Sequence, residues 1–236
     1  MKSSEFNAYK RRYGAAIQQV LSEAEPGRLD EIGFPAYSHT NPLIKWLFWR
    51  RLHIVMDHVE RRAPYPRALD FGCGSGVMLP FLSGVCTDVV AADVDLLPLE
   101  RMKRHIPLAS NVTEWDSSGT TMTQLGAASF DLIIALDVLE HVKDLPWTLA
   151  QLLRVLKHGG QFIISGPTEN ALYRFGRKLA GPQYSGEYHE RGVAEIRRAL
   201  KQQAQVRQIA TLYWPVALFE IFAASAPGGR SAHKPG

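Results

Sequence analysis

Apolar residues along this chain fall into two patterns, short unbroken runs and longer stretches with helical spacing. Val89-Val90-Ala91-Ala92, Leu132-Ile133-Ile134-Ala135 and Phe162-Ile163-Ile164 are compact apolar runs, and Ala68-Leu69-Asp70-Phe71 is one interrupted by a single acid. Runs of that kind, without polar alternation, suit strands buried on both faces, as at the centre of a parallel sheet. Helical spacing marks Phe6 to Glu25, Leu43 to about Glu60 and Val193 to Lys201. Pro26-Gly27 breaks the first, and an irregular stretch follows through Tyr37-Ser38-His39-Thr40. Asn41-Pro42 offers the second an N-cap with proline in its first turn. Gln205 to Tyr213 and Leu218 to Ser225 read as two final strands. Strand and helix signals alternate, which predicts an α/β fold with a doubly wound, mostly parallel sheet.

The first strand runs into Gly72-Cys73-Gly74-Ser75-Gly76. Glycines there tolerate φ > 0 and carry no Cβ to hold a ligand away, so the turn suits close approach of backbone N–H groups to a nucleotide-like cofactor. The spacing is G-x-G-x-G, not the G-x-G-x-x-G of dinucleotide sites, which disfavours NAD. Asp70 stands two positions before the first glycine, where a carboxylate can face a cationic ligand.

From here the chain resembles the class I S-adenosylmethionine-dependent methyltransferases, whose first motif has this acid-x-G-x-G-x-G form. Three further segments follow in the family's order: Thr87 to Asp93, Asn111 to Asp116, and Ser129 to Val142, the last similar to the fourth strand and, at His141, the start of its following helix; Arg154 to Ser165 then resembles the helix end, glycine turn and fifth strand. One glycine loop alone recurs on many folds; ordered motifs from Ala68 to Pro167 are far more specific. The resemblance implies a seven-stranded Rossmann-like sheet whose last strand inserts antiparallel between the fifth and sixth, preceded by an N-terminal helical lid. It implies residues 1–62 as that lid, 63–226 as the cofactor-binding domain and 227–236 as a disordered tail. It also implies a cofactor site built from Asp70, Gly72, Cys73, Gly74, Gly76, Asp93, Val94, Trp115, Asp116 and Leu136. Asp93 takes the ribose position and Asp116, with Trp115 beside it, the adenine position.

Composition changes the picture in one respect. The net charge of +4 is unevenly spread: Lys and Arg stand 11 against 7 Asp and Glu over residues 1–67, 6 against 12 over 68–170, and 10 against 4 over 171–236. A carboxylate-rich middle suits a sulfonium ligand, and basic flanks suit an anionic substrate, a membrane surface or, less well, nucleic acid; solvated helix faces explain them equally. The second helix carries Trp46, Phe48 and Trp49 among Lys45, Arg50 and Arg51, yet its apolar residues form no single stripe. That favours packing against the protein over insertion into a bilayer. No secretory signal or membrane-spanning segment stands out, and Cys73 and Cys86 lack partners at metal-ligand spacing, so a cytoplasmic enzyme is the expectation.

Methyl transfer from a sulfonium is an in-line displacement, so the protein must align the acceptor and exclude water. A base matters only for an acceptor that loses a proton, and His141, after the fourth strand, is the candidate. Asp137, Glu140 and His141 are spaced D-x-x-E-H, similar to a cation-binding pattern of ubiquinone-biosynthesis O-methyltransferases whose first position is Glu; a divalent metal there is an open alternative. Tyr37, His39, Tyr184, Tyr188 and His189 are candidates for the acceptor pocket. The expected reaction is methylation of a small molecule, on an oxygen of a phenol, sugar or lipid-like substrate. An RNA methyltransferase and a non-catalytic partner protein of the same fold are the alternatives.

Overall fold

The computed structural model describes residues 1–23, 37, 41–118, 121–168, 192–213 and 216–225. Two helices open the chain, α1 (Ser3–Glu23) and α2 (Pro42–Glu60), and strands and helices then alternate. In order these are β1 (Tyr65–Phe71), α3 (Leu79–Val85), β2 (Cys86–Asp93), α4 (Leu97–Met102), β3 (Val112–Asp116) and β4 (Phe130–Leu136). α5 (Leu145–Val155), β5 (Leu156–Pro167), α6 (Val193–Lys201), β6 (Gln205–Tyr213) and β7 (Ala217–Ser225) complete them. The sheet order is β3-β2-β1-β4-β5-β7-β6. β1 to β5 are parallel, and β7 runs antiparallel to both β5 and β6. This is the Rossmann-like sheet with the inserted last strand.

Alternate residues of each central strand feed two separate cores. Ala68, Ala91, Leu132, Ile134 and Ile163 face α1 to α4, whereas Leu69, Val90, Ile133, Phe162 and Ile164 face α5 and α6. Every one of these ten side chains is buried, which explains why the strands read as unbroken apolar runs.

Asn41 caps α2 as expected, its side chain accepting from the Leu43 N–H at 2.9 Å with Pro42 behind it. The mixed apolar pattern of α2 reflects contact on several sides: Trp49 meets Phe6 and Tyr13 of α1, and Phe48 meets Phe219 of β7 edge-on. Two expectations are corrected. In residues 154–165, read as helix end, glycine turn and fifth strand, α5 ends at Val155 and β5 follows as read, but the strand starts at once at Leu156 with no turn between them. Phe130 pairs Leu156 and Leu132 pairs Gln161, so Gly159 (φ 80°) and Gly160 lie in an irregularity within β5. His141, expected to begin the helix after β4, lies instead in a short 3-10 turn, Leu139–His141. The helix starts later because Asp144 caps it, accepting from Trp147 N–H at 3.0 Å, with Pro146 in its first turn. The Pro26-Gly27 break and the tail 227–236 lie outside the described residues.

Candidate functional site

β1 has β2 on one side and β4 on the other, so the strand order reverses at its C-terminal end. Ligands of open α/β sheets bind in the crevice at such a switch point. The glycine loop stands there, pinned to the end of β2 by Gly72 N–H and Cys73 N–H, which donate to the Ala92 carbonyl at 2.8 and 3.1 Å.

Gly72, Gly74 and Gly76 all have positive φ, 74°, 52° and 79°. Their needs differ. A Cβ on Gly72 would lie 2.3 Å from Val138, and one on Gly76 would lie 2.6 Å from Leu99, so those glycines let the loop pack on its neighbours. At Gly74 a Cβ would meet nothing within 4 Å. Gly74 therefore faces open space, and its N–H donates to Asp93 Oδ2 at 2.7 Å. The other Asp93 oxygen accepts from Asp95 N–H at 3.2 Å, fixing the carboxylate at the tip of β2 with lone pairs to spare.

Asp70 is buried on β1 behind this loop. Burial first, and the Asp93 carboxylate second, push its acid group up to about 7. Two acids thus share the crevice floor without a cation between them among the described residues. Cys73 is buried, and burial with Asp70 and Asp93 nearby drives its thiol pKa up, which leaves it no thiolate character. Val94 is exposed just beyond β2. Trp115, at the end of β3, packs against the second core and holds its buried indole N–H without a hydrogen-bond partner. Asp116 is exposed, and Ser118 N–H donates to it at 2.8 Å and lowers its pKa. Leu136 closes β4 beside this crevice, half-buried.

The far side of the site comes from residues that sequence reasoning missed. Tyr9 and Tyr13 of α1 reach the glycine loop: the Tyr9 hydroxyl donates to the Val77 carbonyl and the Tyr13 hydroxyl to the Ser75 carbonyl at 2.5 Å. Phe6, Tyr13, Ile17 and Val20 share one buried helix face, a signal that could have placed α1 against the loop. Arg51, fully buried on α2, forms an ion pair with Asp137 at the end of β4 and donates to the Tyr37 hydroxyl at 3.0 Å. Its guanidinium lies between the rings of Phe48 and Phe219, 5.0 and 5.5 Å from their centres. Asp137 itself has φ 54°, and Ser165 Oγ donates to it at 3.3 Å. A lone arginine inside an aromatic run gives no sequence signal of such a pairing.

The metal alternative is corrected by these partners. Asp137 is turned to Arg51, Glu140 is fully buried and His141 is exposed, so the three do not converge. Among the described residues no group of three acids, histidines or cysteines could hold a cation. Tyr37 is buried and linked to Arg51, whereas His39, Tyr184, Tyr188 and His189 lie outside the described residues.

Comparison with known proteins agrees with this geometry. A family model described as a methyltransferase domain matches residues 69–164, from β1 through β5. The ubiquinone biosynthesis O-methyltransferase of Hahella chejuensis is 31% identical over 151 residues, 62% of this chain and 62% of that one. That of Brucella melitensis is 23% identical over 148 residues, 61% of this chain and 59% of that one. The chain thus spans about six tenths of the length of the curated relatives it matches. The structure of the N-methyltransferase NodS from Bradyrhizobium japonicum with S-adenosyl-L-homocysteine superimposes at TM-score 0.59 and 16% identity, covering 92% of this chain and 99% of that one. No helix among the described residues is long and apolar enough to cross a membrane. Residues 69–164 are thus similar to a methyltransferase domain, and the sheet that carries them, with its inserted last strand, has the fold of the superimposed methyltransferase structure.

Proposed function

We propose that the protein transfers a methyl group from S-adenosylmethionine to a small-molecule acceptor, on an oxygen of a phenol, sugar or lipid-like compound. The observation that carries this reading is the pairing of a Cβ-free face at Gly74 with the buried Asp70, whose acid group is pushed up to about 7 by burial and then by Asp93. A ligand that brings positive charge and needs close backbone contact fits both. In this reading Asp70 faces the cationic part of the cofactor, and Gly72, Cys73, Gly74 and Gly76 form its cradle. Asp93 accepts from the ribose hydroxyls. Val94, Trp115, Asp116 and Leu136 border the adenine.

The cofactor supplies an electrophilic methyl group. The chain's own residues supply orientation, exclusion of water and a place for the acceptor's proton. Residues 1–62 act as the lid, α1 lying on the glycine loop through Tyr9 and Tyr13. Tyr37 has a hydroxyl that accepts from Arg51 and can still donate, which suits it to orient an acceptor oxygen. His141, exposed at the rim after β4, is the proposed base. O-methylation draws its support from the ubiquinone biosynthesis O-methyltransferases among the relatives.

Calorimetric titration with S-adenosylmethionine, S-adenosyl-L-homocysteine and NAD tests the cofactor. Binding of the first two, weakened about tenfold or more by Asp93→Ala through loss of charge-assisted acceptors, is expected. Unchanged affinity in the variant would remove Asp93 from the site, and binding of NAD alone would overturn the reading. With an acceptor in hand, His141→Ala should lower kcat by roughly a hundredfold or more if it takes the proton. Full turnover without it would exclude that role.

A further inference from the structure

Away from the crevice, α1 and α2 splay apart around a cleft of about 410 Å³. Lys10 and Arg11 of α1 and Lys45 of α2 line it, with Tyr37 and the buried Trp49 among its walls. Lys10 Nζ stands 6.0 Å from the centre of the Trp49 ring. None of these cations has an ion-pair partner among the described residues. The acids of α1 and α2 are engaged elsewhere: Glu5 accepts from the Lys2 N–H, Glu23 pairs with His105, Asp57 with Arg61, and Glu60 with the amino group of Met1. Burial and the like charge of Lys45 lower the Lys10 pKa, so the ammonium is held where its charge is disfavoured. Gly14 also lines the cleft, and a Cβ there would meet nothing within 4 Å. A mid-helix glycine costs helix stability relative to alanine, about 1 kcal/mol, and here nothing packed against it requires the missing side chain.

Cations lining one concave, aromatic-walled volume meet no anion among the described residues, and a singly charged carboxylate would leave most of that charge uncompensated. We propose that the cleft between α1 and α2 binds a phosphate group, carried either by a soluble phosphate ester or by a lipid headgroup. The volume accommodates the phosphate with a small organic substituent against Trp49 and Tyr37. No glycine-loop residue lines the cleft; it shares only the Tyr37 wall with the proposed acceptor site, and its test reads binding, not methyl transfer.

The test titrates the full chain at low salt with phenyl phosphate, inorganic phosphate and benzoate. In parallel, it measures sedimentation with phosphatidylcholine vesicles, with and without phosphatidate. Two variants attack the cleft differently: Lys10→Gln with Lys45→Gln removes charge, and Gly14→Leu fills the volume without touching a charge. Arg198→Gln with Lys201→Gln on α6 is the control of equal charge change. Thermal unfolding of each variant establishes that it is folded.

Phenyl phosphate is expected to bind better than benzoate. Both cleft variants should weaken it about tenfold or more, and the control should hold it within about twofold. Binding of the soluble probes names a soluble ester as the source. Phosphatidate-dependent sedimentation without soluble binding, lost in the cleft variants, names a lipid headgroup. Absence of both kinds of binding would overturn the proposal, as would equal weakening in control and cleft variants.

Discussion

In the proposed reading, Asp70 is the residue that faces the cationic part of the cofactor. Its acid group moves from 3.8 to about 7, so between those values the folded protein binds more protons than the unfolded chain. Stability contributed by this group is therefore fully present at acid pH and is lost as pH rises through about 7, on the order of 4 kcal/mol in all. Asp70→Asn should accordingly stabilise the ligand-free protein above about pH 7, by roughly 2 kcal/mol or more, and flatten the pH dependence of its urea midpoint. A cationic ligand prefers the ionised form, so wild-type affinity for S-adenosylmethionine should fall about tenfold between about pH 8 and pH 6, a slope absent from the Asn variant. Identical urea and titration slopes in the two proteins would show that Asp70 is not the titrating group.

Between elements, the joint that matters is α2 against β4. Arg51 is 1% exposed and Asp137 20%, so the two halves of this ion pair differ in what their loss leaves behind. Asp137→Ala strands a guanidinium between Phe48 and Phe219 and should cost about 3–5 kcal/mol. Arg51→Met leaves a carboxylate that water reaches, fills the same aromatic slot and should cost less than half as much. Urea unfolding of the two variants checks the order; equal losses would mean that the pair contributes through packing alone. None of this was legible in the chain, because a buried ion pair joins residues far apart in sequence and leaves no periodicity. The strands were legible, since burial on both faces leaves only apolar residues from Val89 to Ala92 and, Asp70 apart, from Ala68 to Phe71. So was the α2 start at Asn41-Pro42, a local hydrogen bond written in adjacent residues. The late start of α5 was missed because Leu136 to Val142 continues an apolar pattern through a turn that only the Asp144 cap and Pro146 end.

At the scale of the molecule, two layers of helix hold one sheet, and negative and positive charge are separated along the chain. Two acids of the middle segment, Asp70 and Asp93, lie together at the glycine loop. The basic first segment supplies the cations of the α1–α2 cleft. The insertion of β7 between β5 and β6 also sets a timetable. β6 is made before β7, yet it has no place in the sheet until β7 has paired with β5 along Phe162 to Pro167. While the ribosome is still adding β7, the growing chain carries β5 as a bare edge and α2 without the Phe219 ring that closes over Arg51. A nascent chain stalled after Tyr213 should therefore be cut by protease within β5, and one released after Ser225 should resist. Synthesis of this chain therefore passes through an interval in which β5 is exposed, and chaperone capture is expected to concentrate while the residues from Tyr213 to Ser225 are being added.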